Sequence, residues 1–226
     1  MQSSRWDAQG NIYLVTEEPL TPERVRSEVG DADGILEVVS VGADVEIAIW
    51  NPDGSRAEMS GNGTRIAARW CATQSGADQV TVRVGDRAVH ARMLGTVVEQ
   101  DLGEVIVGEL EEVDGVHLVA VDVGNPHAVV EGDPATLLEV GPRLETNVRF
   151  PNRTNVQVAR RAGDSLIEAR VWERGVGETA SSGTSAVAVA AALGMTPAVV
   201  RFPGGDLTVR FEGSRAFLTG PAVCLD

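Results

Sequence analysis

The chain has 226 residues, 43% of them hydrophobic, and a formal net charge of −14. That length accommodates one domain or two compact ones, and no apolar run approaches the roughly eighteen residues needed to span a bilayer. An acidic surface repels phosphate backbones and anionic lipids, which argues against nucleic-acid and membrane partners.

All nineteen basic residues are arginine. A chain without lysine cannot hold pyridoxal phosphate as a Schiff base, nor build the Gly-Lys of a P-loop. Two cysteines, Cys71 and Cys224, are too few for a disulfide framework and read as packed residues, while His90, His117 and His127 lack metal-binding spacing. No metal and no cofactor are expected.

The first residues, Met1-Gln2-Ser3-Ser4-Arg5-Trp6-Asp7, lack the basic-then-apolar layout of a signal peptide, so a cytoplasmic location is expected. A strand pattern covers residues 12–16. A helix follows over 21–29, where Thr21-Pro22-Glu23 supplies an N-cap and a first-turn proline. Strands over 35–41 and 45–50 lead into Asn51-Pro52-Asp53-Gly54, a turn signal, and then a helix over 63–73. Further strands are read at 80–84, 104–110, 116–123 and 127–131, with a short helix at 134–139. Strands at 154–160 and 167–172, a helix at 184–193, and strands at 198–202, 207–212 and 216–219 complete the chain.

The helices containing Ile66-Ala67-Ala68-Arg69-Trp70 and Ala186-Val187-Ala188-Val189-Ala190 are apolar around nearly their whole circumference, so sheets must wrap them. The expected fold class is α+β: two related domains, each a curved, mostly antiparallel sheet around a central helix, with the active site in a cleft between them. The acidic stretch over 109–115 marks the expected boundary, giving domains 1–112 and 113–226 with the last strand free to return to the first domain.

Ser60, in Glu58-Met59-Ser60-Gly61-Asn62-Gly63-Thr64, and Ser182, in Ser181-Ser182-Gly183-Thr184-Ser185, each end a turn-rich stretch and open an apolar helix. A helix N-terminus offers free backbone N–H groups to an anion. The glycines let a ligand approach the backbone, and arginines such as Arg65 and Arg174 can meet a carboxylate. Trp172-Glu173-Arg174-Gly175-Val176-Gly177 adds a strand end carrying acid and base before a glycine turn.

These segments resemble those of the diaminopimelate epimerase family of cofactor-independent amino-acid racemases. The resemblance extends to Gly10-Asn11, Asp31-Ala32-Asp33-Gly34, Gly124-Asn125-Pro126-His127 and Phe150-Pro151-Asn152-Arg153-Thr154-Asn155-Val156, in the same order over nearly the whole chain. It implies proton exchange at the α-carbon of a small amino-acid substrate, in lysine or peptidoglycan synthesis, by one thiolate and one thiol on opposite faces. It also implies a homodimer.

The departure is central: Ser60 and Ser182 stand where the family has its two cysteines. A thiol of unperturbed pKa near 8.5 is readily tuned toward neutrality at a helix end, whereas a serine hydroxyl needs a neighbouring base. The resemblance places His127 and Glu173 beside the catalytic groups, where either could deprotonate a serine or take the proton itself. It places Asn11, Asn51, Asn125 and Asn155 on substrate, Arg174 on the distal carboxylate, and Gly61 with Asn62 and Gly183 with Thr184 as backbone cradles. The family usually has glutamine at Gly34 and a longer segment before Asp31, so a shortened loop there is expected to alter the pocket. Two rival functions stay open: a lyase resembling hydroxyproline dehydratases, and a non-catalytic amino-acid-binding pseudoenzyme.

Overall fold

The computed structural model describes residues 1–42 and 44–226. In chain order the elements are β1 (Ser4–Asp7), β2 (Ile12–Thr16), α1 (Pro22–Glu28), β3 (Gly34–Val41), β4 (Asp44–Trp50), β5 (Arg56–Ala57), α2 (Gly61–Ser75), β6 (Gln79–Val84), β7 (Arg87–Leu94) and β8 (Val97–Glu104). They continue with β9 (Ile106–Val113), β10 (Val116–Asp122), β11 (Pro126–Glu131), α3 (Leu137–Glu145), β12 (Asn155–Arg161), β13 (Leu166–Glu173), β14 (Gly177–Thr179), α4 (Gly183–Ala192), β15 (Ala198–Phe202), β16 (Gly205–Glu212), β17 (Arg215–Pro221) and β18 (Val223–Cys224). The α+β class is as expected. No helix among the described residues is long and apolar enough to cross a membrane.

The chain divides into two compact units, one of residues 1–101 with 219–226 and one of residues 102–218. The acidic stretch over 109–115 falls inside the second unit, as the end of β9 and its turn into β10.

In the first unit β1–β2, β3–β4, β6–β7 and β7–β8 pair antiparallel, while β2–β3 and β4–β6 pair parallel. α2 packs against β2, β3, β4, β6 and β7. Its Ile66, Ala67 and Ala68 have no exposed surface and join Leu36, Ile47, Ile49, Val80 and Val82 in one core. Burying a side chain such as Ile66 stabilises by roughly 1.5–3 kcal/mol. The helix starts at Ser60, an extended N-cap, and stops at Gly76, whose φ of 72° is the left-handed conformation that favours glycine.

In the second unit β9–β10, β10–β11, β12–β13 and β15–β16 pair antiparallel, and β11–β12 and β13–β15 parallel. α4 packs on β10, β11, β12, β15 and β16, and Ala186 to Ala190 have no exposed surface. An all-apolar helix needs contact on every side, and this one has it.

Several elements differ from the sequence expectation. The short helix expected at 134–139 is a 3₁₀ turn, Pro134–Thr136, running into α3, which continues through Gly141-Pro142. A Cβ at Gly141 would stand 2.8 Å from the Trp172 Cβ, so glycine here serves close helix–strand packing rather than a break. β7 and β8 are long strands that the sequence pattern misses. Their outward positions carry polar side chains such as His90 and Arg92, and only an alternating set that includes Val89, Ala91, Val98 and Leu102 faces inward.

Candidate active site: two half-sites at helix N-termini

In the first unit the strand β2 carries Tyr13 inward, next to Gly34 of β3 in parallel register. A Cβ at Gly34 would lie 2.5 Å from the Trp50 carbonyl oxygen and 2.7 Å from the Tyr13 ring, so no side chain fits there. The ring of Tyr13 occupies that space, and its hydroxyl donates to Ser60 Oγ at 3.2 Å. Gly63 N donates to the same oxygen at 3.0 Å, the usual N-cap bond, worth about 1 kcal/mol. Ser60 Oγ thus receives two donors.

Beside it runs a directed chain of side chains. Arg65 Nη2 donates to Asn62 Oδ1 at 2.9 Å, Asn62 Nδ2 donates to Asn11 Oδ1 at 3.1 Å, and the Asn11 amide hydrogen-bonds the Asp33 carboxylate. Arg65 has no exposed surface; its Nε is held by the Pro221 carbonyl at 2.8 Å, and among the described residues its Nη1 has no hydrogen-bond partner. Burial lowers its pKa to about 10, partly opposed by Asp7. Burial likewise raises the pKa of Asp33, against hydrogen bonds from Ile12 N and Asn11. Gly61, the first residue of α2, is buried, and Gln100 donates to its carbonyl at 3.0 Å while accepting from Thr64 Oγ1 at 2.7 Å.

Asn51 lies in the turn before β5: its N–H donates to Ser55 O at 2.9 Å and its Nδ2 to Ser55 Oγ at 2.9 Å. The segment after α1 is short and pinned, Asp31 taking both Arg5 Nη1 and Nη2 at 2.9 and 3.0 Å.

In the second unit Ser182 takes the same place on α4. Its φ and ψ of −148° and 126° nearly repeat the −142° and 118° of Ser60. Yet the Ser182 side chain caps no helical amide. Gly183 and Thr184 open the helix and are buried, and Thr184 Oγ1 accepts from Asn125 Nδ2 at 3.4 Å.

His127, on β11, is 1% exposed and pairs in parallel register with Asn155 of β12. Asn125 Oδ1 lies 2.8 Å from its Nε2 and Gln157 Nε2 lies 3.0 Å from its Nδ1, which places the neutral ring's proton on Nε2. Burial lowers the His127 pKa to about 3, and the Arg174 charge adds to that shift. In this arrangement neither nitrogen is available to deprotonate a serine.

Asn155 bridges two segments, Nδ2 donating to Pro126 O at 2.9 Å and Oδ1 accepting from Arg174 N at 3.0 Å. Arg174 Nη1 reaches Asn152 O at 3.3 Å. Glu173 Oε1 accepts from Thr179 Oγ1 at 2.6 Å. The turn that follows is held by Glu145 of α3, which accepts from Gly175 N and Trp172 Nε1, both at 2.7 Å, and pairs with Arg153 at 2.8 Å.

The structure thus gathers Asn11, Asn51, Ser60, Gly61 and Asn62 in one unit and Asn125, His127, Asn155, Glu173, Arg174, Ser182, Gly183 and Thr184 in the other. Sequence reasoning misses Tyr13, Gln157 and Glu145. For Tyr13 a signal existed, a hydroxyl among the apolar residues of Ile12-Tyr13-Leu14-Val15, directly after Asn11. Among the described residues no group of three or more His, Cys, Asp or Glu is arranged to hold a metal ion.

Comparison with known proteins adds the family. The profile described as diaminopimelate epimerase matches residues 119–225. A diaminopimelate epimerase of Corynebacterium glutamicum (strain R) is 36% identical over 243 aligned residues, covering 91% of this chain and 87% of that protein. The fold is shared with a predicted epimerase from Pseudomonas aeruginosa, TM-score 0.77 at 15% identity, over 99% of this chain and 96% of the other. It is also shared with a hydroxyproline epimerase from Agrobacterium vitis with bound trans-4-hydroxy-L-proline, TM-score 0.72 at 15% identity, over 98% and 88%. A likeness in sequence that spans nearly the whole chain settles the membership: this chain belongs to the diaminopimelate epimerase family.

Proposed function

We propose that the chain is a cofactor-independent amino-acid epimerase that interconverts LL- and meso-diaminopimelate by proton exchange at the α-carbon, Ser60 and Ser182 serving as the proton-carrying groups. The observation that supports this most is the repeated geometry of those serines, each the extended N-cap of the buried apolar helix of its unit. The amides and partial positive charge at such ends suit a substrate α-carboxylate and stabilise negative charge developing beside it.

In this reading Asn11, Asn51, Asn125 and Asn155 hold the polar groups of the substrate, Gly61 with Asn62 offers its backbone as a cradle, and Arg174 pairs with the distal carboxylate. Glu173 is the better acceptor of the α-proton, through Ser182. His127, a neutral ring with both nitrogens engaged, instead orients Asn125. One proton leaves the α-carbon and another is delivered to the opposite face, so nothing is oxidised or reduced and no cofactor enters. Hydroxyls are weaker acids than thiols, so the reaction is slow relative to a thiol pair. The homodimer implied by the sequence resemblance belongs to the same reading.

The test is to incubate purified protein with LL-diaminopimelate, without added cofactor, and resolve the stereoisomers. Formation of the meso isomer supports the reading. Binding without conversion at any pH points instead to an amino-acid-binding pseudoenzyme, and release of a dehydration product from hydroxyproline to a lyase.

A further inference from the structure

The two serines have the same backbone setting but unlike surroundings. Ser182 caps nothing, whereas the Ser60 oxygen receives the Gly63 N–H at 3.0 Å and the Tyr13 hydroxyl at 3.2 Å. An oxygen with two incoming donors has only its own proton to offer outward. The contact with Tyr13 is built in rather than incidental: the ring lies where a Cβ at Gly34 would be, its residue is 7% exposed, and β1 and β3 flank its strand. Gly63 is constrained too, since a Cβ there would stand 3.2 Å from the Ser60 Cβ.

We propose that Tyr13 is a positioning residue that supplies, through Ser60, the acidity that serine lacks. A phenol has an unperturbed pKa near 10, much closer to a thiol than an aliphatic alcohol is. As the Ser60 O–H bond breaks and its proton forms the new C–H bond at the α-carbanion, the Tyr13 proton passes to Ser60 Oγ. The charge then rests on the phenolate until solvent returns a proton. The step consumes no oxidant and leaves Ser60 as it began. In the reverse direction the same pair accepts a proton. This inference rests on the epimerase reading and assigns Ser60 with Tyr13 as its acid side.

The experiment compares Tyr13→Phe in two backgrounds, the natural serine and Ser60→Cys. Phenylalanine keeps the ring over Gly34, and an unchanged melting temperature confirms the fold. With serine present, deuterium exchange into LL-diaminopimelate is expected to fall by about 10²-fold or more, and the alkaline limb of the pH–rate profile to disappear. With Ser60→Cys the thiol carries its own acidity, and the loss shrinks to at most about tenfold. Equal losses in both backgrounds overturn the proposal and leave Tyr13 a merely structural role.

A second measurement needs no turnover. The thiol introduced by Ser60→Cys is titrated by iodoacetamide alkylation, read at the peptide level because Cys224 is exposed. Removing the phenol donor is expected to raise that thiol's pKa by about one pH unit. An unchanged value overturns the proposed contact whatever the activity. If neither the natural protein nor Ser60→Cys with Ser182→Cys exchanges the α-proton, the epimerase reading fails, and the alkylation shift alone decides whether Tyr13 acts on position 60.

Discussion

Gln157 donates its side-chain amide to Nδ1 of His127 at 3.0 Å, and that bond fixes what the imidazole can do. With Asn125 Oδ1 at 2.8 Å from Nε2, the ring is a neutral bridge between two amides. Gln157 has no exposed surface and also donates to Ser185 Oγ at 2.9 Å, so β11, β12 and the first turn of α4 are joined through one side chain.

Acid stability should report this arrangement. The folded pKa of His127, about 3, lies below the unfolded value of 6.5. Its contribution is therefore complete above about pH 6.5 and is lost as pH falls toward 3, with a slope of about 1.4 kcal/mol per pH unit. Urea unfolding at pH 6.5 and pH 5 is expected to show about 2 kcal/mol more loss for the natural protein than for His127→Gln. Equal losses would show that the imidazole is not buried neutral.

Arg65 should matter for stability and for substrate binding together. Arg65→Met keeps the length of the side chain but leaves Pro221 O and Asn62 Oδ1 unpaired, an expected destabilisation of about 2–4 kcal/mol. Limited proteolysis should then release the C-terminal strand earlier. Because Asn62 orients Asn11, KM is expected to rise more than kcat falls.

Gly34→Ala should crowd the first half-site. The added methyl would meet the Trp50 carbonyl and the Tyr13 ring, costing about 2–3 kcal/mol. Tyr13 must move, so exchange activity is expected to drop in step with Tyr13→Phe. A stable Gly34→Ala protein with full activity would show that the ring position is unimportant.

Much of the first level was legible in the sequence because its signals are local. Thr21-Pro22 caps α1 as expected, with Thr21 accepting from Arg24 N, and Ser60 and Ser182 stand at the N-caps of α2 and α4. What escaped was set by partners far along the chain. β1, with the polar sequence Ser-Arg-Trp-Asp, is a strand because β2 and β18 hydrogen-bond it on either side. Glu145 holds the Gly175 turn from thirty residues away, and no motif marks it. Gln157 sits mid-strand in an apolar run, where nothing in its neighbours announces a histidine partner.

The central claim is that serines at these two helix ends move a proton at an amino-acid α-carbon. The most direct measurement is deuterium incorporation from D₂O into LL-diaminopimelate, followed by mass spectrometry, with the natural protein and no cofactor. The account predicts uptake of one deuterium at the inverted α-carbon, abolished in Ser182→Ala and accelerated in Ser60→Cys with Ser182→Cys. No uptake by the natural protein, with uptake by the cysteine pair, would contradict serine catalysis while leaving the binding site in place.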